Sequence, residues 1–277
     1  MSNSRPIGVF DSGIGGLTVV RAMTRHLPHE NITYFGDTAR VPYGPKSSQV
    51  VRDYAAQDTD VLMRLNVKAI VIACNTATAI AIADLRAHFA VPIVGMEPAV
   101  KPASTHSRTR CIGVLATSGT LASDKFASLL ARFGRDVEVH VQPCSGLVEQ
   151  VERGALNSDA TRALVEKYVT PLARRGVDTI VLGCTHYPFL RPVIAEFAGA
   201  NVSIIDPNPA VARELRRQLE RSHLRAPADH PGTEKFWTSA EPSSVQNVMI
   251  QLWGDPVAIM RLPTLTPDNR LNDAKLE

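Results

Sequence analysis

The sequence lacks the features that mark several broad classes of protein. Its 277 residues contain no apolar run of the roughly 18 residues that a membrane span requires. The polar start Met1–Arg5 leads directly into an apolar stretch, unlike a secretory signal. The net charge is only +3, and lysine and arginine are spread along the chain rather than clustered. We therefore expect a cytoplasmic protein that binds neither membranes nor nucleic acid.

Cysteine is scarce, and its spacing argues against a disulfide framework. The chain has four cysteines and no C-x-x-C pair. In a reducing cytoplasm such thiols stay free. Cys111 opens a predicted strand and Cys144 follows another, and we expect both to be structural.

The other two cysteines, Cys74 and Cys184, follow matching apolar runs at residues 69–73 and 179–183. Each run is short and rich in valine and isoleucine, which is typical of a buried parallel strand. Open α/β sheets bind ligands at the carboxyl ends of their strands. We therefore expect the two thiols to face one small molecule from opposite sides.

The two cysteine segments, 110 residues apart, belong to a wider internal repeat. Residues 7–9 recur at 112–114, an offset of 105, and residues 91–100 align with 202–211, an offset of 111. Nearly constant offsets in the same order indicate two related lobes. We predict an α/β fold with two pseudo-symmetric lobes, each a mainly parallel sheet flanked by helices, and an active site in the cleft between them.

The predicted boundaries follow this repeat. The first lobe comprises residues 1–98 and 208–277, and the second comprises residues 99–207. After a helix from about Pro209 we expect the chain to become irregular and to end in a polar tail over 262–277. The predicted strands cover residues 6–10, 31–35, 69–73, 91–94, 111–115, 137–141, 179–182 and 202–205.

Asp11 follows the first predicted strand and precedes a glycine-rich turn at residues 13–16. Thr18 stands where a dinucleotide-binding G-x-G-x-x-G motif has its third glycine, so that signature is weak. The turn has two interpretations. It is a tight connection between strand and helix, or it brings free backbone N–H groups to a ligand carboxylate.

Polar residues beside the two cysteines suit a small acidic ligand. Asn75, Thr76 and Thr185 can bond carboxylates without a fixed charge. We expect both cysteines to precede helix starts, whose positive ends lower the pKa of a thiol.

His186 lies two residues after Cys184. In an extended segment the two side chains point the same way, so the imidazole is placed to exchange a proton with that thiol. Spacing alone does not decide between Glu149 and Glu152, which share one predicted helix.

Four motifs, which include most of the residues named above, occur in the region from about Ile7 to Val211. They are GVFDSGIGGL at 8–17, Asp37 with PYG at 42–44, ACNTA at 73–77, and GCTHYP at 183–188. Together they resemble the glutamate racemase family of the cofactor-independent aspartate/glutamate racemase superfamily. The resemblance implies an isomerase that interconverts L- and D-glutamate without a cofactor or metal. It also implies a supply of D-glutamate for bacterial peptidoglycan, and it is compatible with a homodimer.

The resemblance also implies roles for individual residues. Cys74 and Cys184 are the acid and base, and Asp11 and His186 assist them. A V-E-x-G element at residues 151–154 implies that Glu152, rather than Glu149, assists as well. The implied substrate contacts are Asp11, Ser12, Tyr43, Gly44, Asn75, Thr76, Thr185 and His186.

Three alternatives stay open. An aspartate racemase differs mainly in the length of its substrate. A zinc hydrolase would bind its metal through Cys74, Cys184, His186 and Asp11. A glutamate-binding module without turnover would have no need of two thiols.

Overall fold

Two parallel β-sheets form the framework of the protein, whose computed structural model describes residues 3–262. Residues 1–2 and residues 263–277 lie outside this range. The second of these segments contains nearly all of the predicted polar tail. The strands are β1 (Ile7–Asp11), β2 (Ile32–Gly36), β3 (Ala69–Ile72), β4 (Ile93–Gly95), β5 (Cys111–Ala116), β6 (Glu138–Pro143), β7 (Thr179–Gly183), β8 (Ser203–Ile205), β9 (Glu234–Thr238) and β10 (Ile259–Arg261).

Helices connect the strands in the alternation expected of an α/β protein. They are α1 (Leu17–His26), α2 (Ser48–Arg64), α3 (Asn75–His88), α4 (Val100–His106), α5 (Ser118–Leu121), α6 (Asp124–Phe133), α7 (Leu147–Glu152), α8 (Asp159–Arg174), α9 (Arg191–Ala198), α10 (Asn208–Arg221) and α11 (Pro242–Trp253). A 3₁₀ helix, Tyr187–Leu190, precedes α9. Within residues 3–262, none of the helices combines the length and the apolar character that crossing a membrane requires.

The two sheets share one strand order. The six-stranded sheet runs β10-β9-β2-β1-β3-β4 and the four-stranded sheet runs β6-β5-β7-β8, with all pairs parallel. The order β2-β1-β3-β4 therefore recurs as β6-β5-β7-β8. The central strands β1, β3, β5 and β7 are buried along their whole length, which accounts for their unbroken apolar runs. The predicted α/β fold with two parallel, helix-flanked sheets is confirmed.

The prediction of irregular chain after the helix from about Pro209 was wrong for residues 234–261. Strand β9 pairs with β2, with Phe236 opposite Tyr34, and β10 pairs with β9. The segment Glu234–Thr238 is short, and two of its residues are exposed, so it carries no apolar run. The lobe boundaries at 98/99 and 207/208 stay predictions.

Contacts at the carboxyl ends of the strands join the two sheets across a cleft. The backbone N–H of Gly119 donates to the carbonyl oxygen of Gly44 at 3.1 Å. The hydroxyl oxygens of Thr76 and Thr117 lie 2.8 Å apart. One cluster of buried apolar side chains includes both Val20 of α1 and Leu182 of β7, so a single core runs under both sheets.

Candidate active site

The carboxyl ends of both sheets line a shared cavity. Its walls contain Cys74 and Cys184 and seven of the eight predicted substrate-contacting residues. Asp11 is the exception, because it is fully buried and does not reach the wall. The lining residues are Ser12, Pro42, Tyr43, Gly44, Cys74, Asn75, Thr76, Thr117, Val148, Cys184, Thr185 and His186.

Cys74 lies where β3 meets α3 and caps that helix. Its sulfur accepts a hydrogen bond from the backbone N–H of Ala77 at 3.4 Å and lies 3.7 Å from Oγ of Ser12. Burial and the nearby carboxylate of Asp11 raise the pKa of the Cys74 thiol to about 12, outweighing both of these contacts. The prediction of a lowered pKa at this thiol was therefore wrong, because desolvation exceeds the effect of the helix N-terminus.

Cys184 follows β7, but no α-helix begins directly after it. A turn leads instead into the 3₁₀ helix Tyr187–Leu190, so the predicted helix start was wrong here. His186 has helical dihedral angles of −75° and −31°, and the segment is not extended as predicted. The side chains nevertheless meet, with Sγ of Cys184 3.6 Å from Nδ1 of His186.

His186 connects Cys184 to a carboxylate on the other side of the ring. Its Nε2 lies 2.6 Å from Oε1 of Glu152, the last residue of α7. Burial alone would lower the pKa of His186. Hydrogen bonds with Cys184 and Glu152 outweigh burial and raise the pKa of His186 well above its ordinary value. The contacts with Cys184 and Glu152 therefore favour the charged form of the imidazole that faces the thiol.

Glu152 and Glu149 lie in different surroundings. Glu152 also accepts a hydrogen bond from the backbone N–H of Ile14, at 2.8 Å. Glu149 faces a neighbouring cavity, which is also lined by Cys144 and shares Pro42, Gly44, Thr117 and Val148 with the site. The geometry thus connects Glu152, and not Glu149, to the imidazole.

The glycine-rich turn admits these two side chains. A Cβ atom on Gly13 would lie 2.1 Å from Oε1 of Glu152, and one on Gly15 would lie 2.4 Å from Nδ1 of His186. Any larger residue at either position would displace the carboxylate or the imidazole. The turn is therefore more than a tight connection, since it forms the surface on which the Glu152–His186 pair packs.

Asp11 lies behind the wall rather than in it. Its Oδ2 accepts a hydrogen bond from the backbone N–H of Gly16 at 2.7 Å and another from Thr185 Oγ1 at 3.3 Å. Burial raises the pKa of Asp11, although the positive charge of His186 and the N–H of Gly16 oppose this. The structure thus places Asp11 next to residues of the site, without exposing it to a ligand.

Asn75 offers the cavity an amide group that has no partner in the protein. Its side chain is 3% exposed, and neither Nδ2 nor Oδ1 makes a hydrogen bond within the described chain. Buried polar atoms are nearly always hydrogen-bonded, so this amide is poised for a ligand. The aligned residue in the second lobe, Thr185, lies in the same cavity.

Sequence reasoning did not assign Pro42, Thr117 or Val148 to the site, although Pro42 lies within the PYG motif. Thr117 follows the last residue of β5, as Ser12 follows the last residue of β1. The offset of 105 that relates residues 7–9 to 112–114 also relates Ser12 to Thr117. This signal was sufficient to find Thr117, whereas no repeat or motif points to Val148.

The zinc alternative has no geometric support at this site. Across residues 3–262, the set of three ligand atoms that lie within 4.8 Å of one another comes from Cys111, Glu138 and His140. These residues lie on β5 and β6, and Cys111 is at the amino end of its strand, away from the cavity. Cys74, Cys184, His186 and Asp11 do not form such a set.

The two matched parallel sheets each present one thiol to a shared cavity, an arrangement that suits proton transfer at opposite faces of one carbon. The model of the Asp/Glu/Hydantoin racemase family matches residues 7–215. The chain belongs to this family, and the resemblance inferred from its four motifs is confirmed. Racemases are isomerases, so the chain is an enzyme of that class.

Named relatives agree with this assignment. A glutamate racemase from Pseudomonas aeruginosa is 48% identical over 260 residues, covering 94% of this chain and 98% of the relative. A crystal structure of a glutamate racemase isoform from Bacillus anthracis is 32% identical, with a TM-score of 0.85 and coverage of 93% and 97%. A glutamate racemase from Francisella tularensis in complex with D-glutamate is 33% identical, with a TM-score of 0.81 and coverage of 96% and 98%.

Proposed function

We propose that this protein is a glutamate racemase that interconverts L- and D-glutamate by a cofactor-independent, two-thiol mechanism. The observation that carries the proposal is the position of Cys74 and Cys184, which follow equivalent strands of the two lobes and line one cavity. Inversion of a stereocentre requires a base on one face of the α-carbon and an acid on the other. In one direction Cys74 is the thiolate that removes the α-proton, and Cys184 supplies a proton to the opposite face. In the other direction the roles are exchanged.

The α-proton of an amino acid is far less acidic than a thiol, and each pKa unit of mismatch costs about 1.4 kcal/mol. The cavity has the means to reduce this cost. The neutral donors of Asn75 and Thr76 face it, and they can stabilise the negative charge that develops on the α-carboxylate. The hydroxyl of Thr185 also lines the cavity, but it already donates to Asp11. The side chains of Cys74, Asn75 and Cys184 are buried, and a weakly solvated site strengthens each of these interactions.

The charged imidazole of His186 lies on the Cys184 side, where its Nδ1–H donates a hydrogen bond to the thiolate form of Cys184. Asp11 is the corresponding charged group on the Cys74 side. As a carboxylate beside this thiol it raises the pKa of Cys74, which makes the thiolate a stronger base once it has formed. The two thiols thus have assisting groups of opposite charge, and we propose that each group serves one direction of the reaction.

The experiment is incubation of the purified protein with L-glutamate and, separately, L-aspartate in deuterium oxide without added cofactor. We expect loss of optical rotation and exchange of the α-proton with glutamate, at the same rate with and without a metal chelator. A preference for aspartate would make the protein an aspartate racemase. Loss of turnover with the chelator would favour the zinc alternative, and ligand binding without exchange would favour a binding module.

We also propose that the product serves peptidoglycan synthesis in the cytoplasm. Cells depleted of the protein should then lose cell shape and recover on external D-glutamate, and growth without that supplement would contradict the role. The homodimer that the resemblance allows stays a prediction, and sedimentation velocity at several protein concentrations tests it.

A further inference from the structure

A buried polar cluster lies behind the segment that carries Tyr43 and Gly44 to the cavity. Its members are Asp37 after β2, Arg40 and Tyr43 in the following loop, and Asp58 on α2. The carboxyl groups of Asp37 and Asp58 are fully buried, and Arg40 is 14% exposed. The function proposed above gives Asp37, Arg40 and Asp58 no part.

The hydrogen bonds of the cluster leave one proton to be assigned. The hydroxyl of Tyr43 lies within hydrogen-bonding distance of Oδ2 of Asp37 and, at 2.8 Å, of Oδ2 of Asp58. A phenol has one proton and can donate to only one of them. The remaining short contact therefore needs a proton on one of the two carboxyl groups.

Arg40 decides which carboxyl group carries the proton. Its Nε donates to Oδ2 of Asp37 at 2.5 Å, so the oxygen that faces Tyr43 already accepts a hydrogen bond from a cation. On Asp58 the guanidinium instead donates to Oδ1, through Nη2 at 2.7 Å, which leaves Oδ2 free to carry a proton toward Tyr43. Asp37 is therefore the carboxylate, and Asp58 is the neutral acid that donates to Tyr43.

The charges lead to the same assignment. With Asp58 neutral, Arg40 and Asp37 form one ion pair and the cluster has no net charge. With both carboxyl groups ionised, it would hold one uncompensated negative charge in a buried place, which is costly. Burial and the neighbouring Asp37 raise the pKa of Asp58 well above its usual value, against the opposing effects of Arg40 and Tyr43.

We propose that Asp58 is a positioning residue that stays protonated and holds Tyr43 by donating a hydrogen bond to its hydroxyl, thereby fixing the wall of the substrate cavity at Tyr43 and Gly44. The proposal rests on the proposed racemase function. Tyr43 and Gly44 line the cavity, and the carbonyl of Gly44 accepts a hydrogen bond from Gly119 of the opposite lobe. A shift of this segment would therefore alter both the wall and the closure of the two lobes.

Kinetics of two variants test the positioning role. Asp58→Asn keeps the shape, an N–H for Tyr43 and an oxygen for Arg40, so it imitates the protonated acid, and we expect KM for D-glutamate to stay within about twofold of the wild type. Asp58→Ala removes the donor to Tyr43, and we expect KM to rise about tenfold while kcat changes less. Asp60→Asn, at an exposed position on the same helix, is the matched control.

Thermal unfolding at several pH values tests the protonation state of Asp58 independently of catalysis. A buried acid with a raised pKa contributes stability below its unfolded pKa and loses that contribution as the pH rises toward its folded pKa. The wild type should therefore lose stability relative to Asp58→Asn as the pH rises above about 4, the pKa of an aspartic acid in the unfolded chain. We expect the difference in Tm to widen by about 2–4 °C per pH unit until the folded pKa is passed. Asp60→Asn should follow the wild type.

The outcomes separate this proposal from the proposed function. A wild type that does not racemise glutamate, but shows the widening difference in Tm, would contradict the function and leave the protonation of Asp58 intact. If Asp58 is a carboxylate, Asp58→Asn removes a partner of Arg40 and is destabilised at every pH, with no widening, and the proposal is overturned. It is also overturned if Asp58→Ala, shown to be folded, keeps the KM of the wild type.

Discussion

Nε2 of His186 and Oε1 of Glu152 lie 2.6 Å apart, and the same oxygen accepts the backbone N–H of Ile14 at 2.8 Å. The carboxylate thus links the glycine-rich turn of the first lobe to the imidazole that contacts Cys184 in the second. Since the hydrogen bond to Glu152 raises the pKa of His186, Glu152 helps to keep the imidazole charged. Glu152 therefore controls both the position and the charge of His186, the residue beside Cys184.

Glu152→Gln should lower kcat by about 10- to 100-fold, because it weakens a hydrogen bond between two charged groups. It should also lower the pKa of His186. The fall in activity at alkaline pH should therefore begin at a lower pH than in the wild type. The measurement is kcat against pH in both directions. Glu149→Gln is the matched control on the same helix and should have little effect. Equal losses in the two variants would show that the imidazole does not depend on Glu152.

Cys74→Ala and Cys184→Ala should each lower racemisation by at least about a thousand-fold, because each removes one of the two proton-transfer groups. Circular dichroism should show that both variants stay folded. Cys111→Ala, which removes a buried cysteine at the far end of β5, should retain full activity. Each Cys→Ser variant should still eliminate HX from a β-substituted analogue of one enantiomer, since that reaction needs a single base. Full racemase activity in either alanine variant would exclude the two-thiol mechanism.

Asp11→Asn and His186→Asn should affect opposite directions of the reaction. Asp11 raises the pKa of Cys74, and His186 lies 3.6 Å from Cys184. We expect Asp11→Asn to impair the direction in which Cys74 takes the proton, and His186→Asn the direction in which Cys184 does. The measurement is kcat for D- and L-glutamate separately. Equal losses in both directions for both variants would indicate that these residues orient the substrate instead.

The sequence was informative wherever local pattern decides the structure. The central strands are buried on both faces, so their apolar runs were visible, and the repeat then related the two lobes. Strand β9 lacked such a run because two of its five residues are exposed. Its pairing partner β2 lies about 200 residues away, and a contact over that distance leaves no local pattern in the sequence.

Long-range contacts also explain what the motifs left undecided. Gly13 and Gly15 must be small because Glu152 and His186 pack on them, and both of these residues lie more than 130 positions further along the chain. The pKa of Cys74 was predicted in the wrong direction because the helix start is a local feature, whereas burial depends on the whole fold. Thr117 is a different case, since the repeat contained the information needed to find it.

Thr117→Val should weaken substrate binding, because it removes a hydroxyl from the cavity wall while keeping the volume of the side chain. The loss of one hydrogen bond of about 1–2 kcal/mol corresponds to a rise in KM for D-glutamate of about 5- to 30-fold. Oγ1 of Thr117 also accepts the backbone N–H of Thr120 at 3.2 Å and lies 2.8 Å from Oγ1 of Thr76, so we expect Tm to fall by a few degrees. Thr117→Ser retains the hydroxyl and should restore both KM and Tm to near the wild-type values. An unchanged KM in the valine variant would show that Thr117 contributes to the closure of the lobes and not to the binding of the substrate.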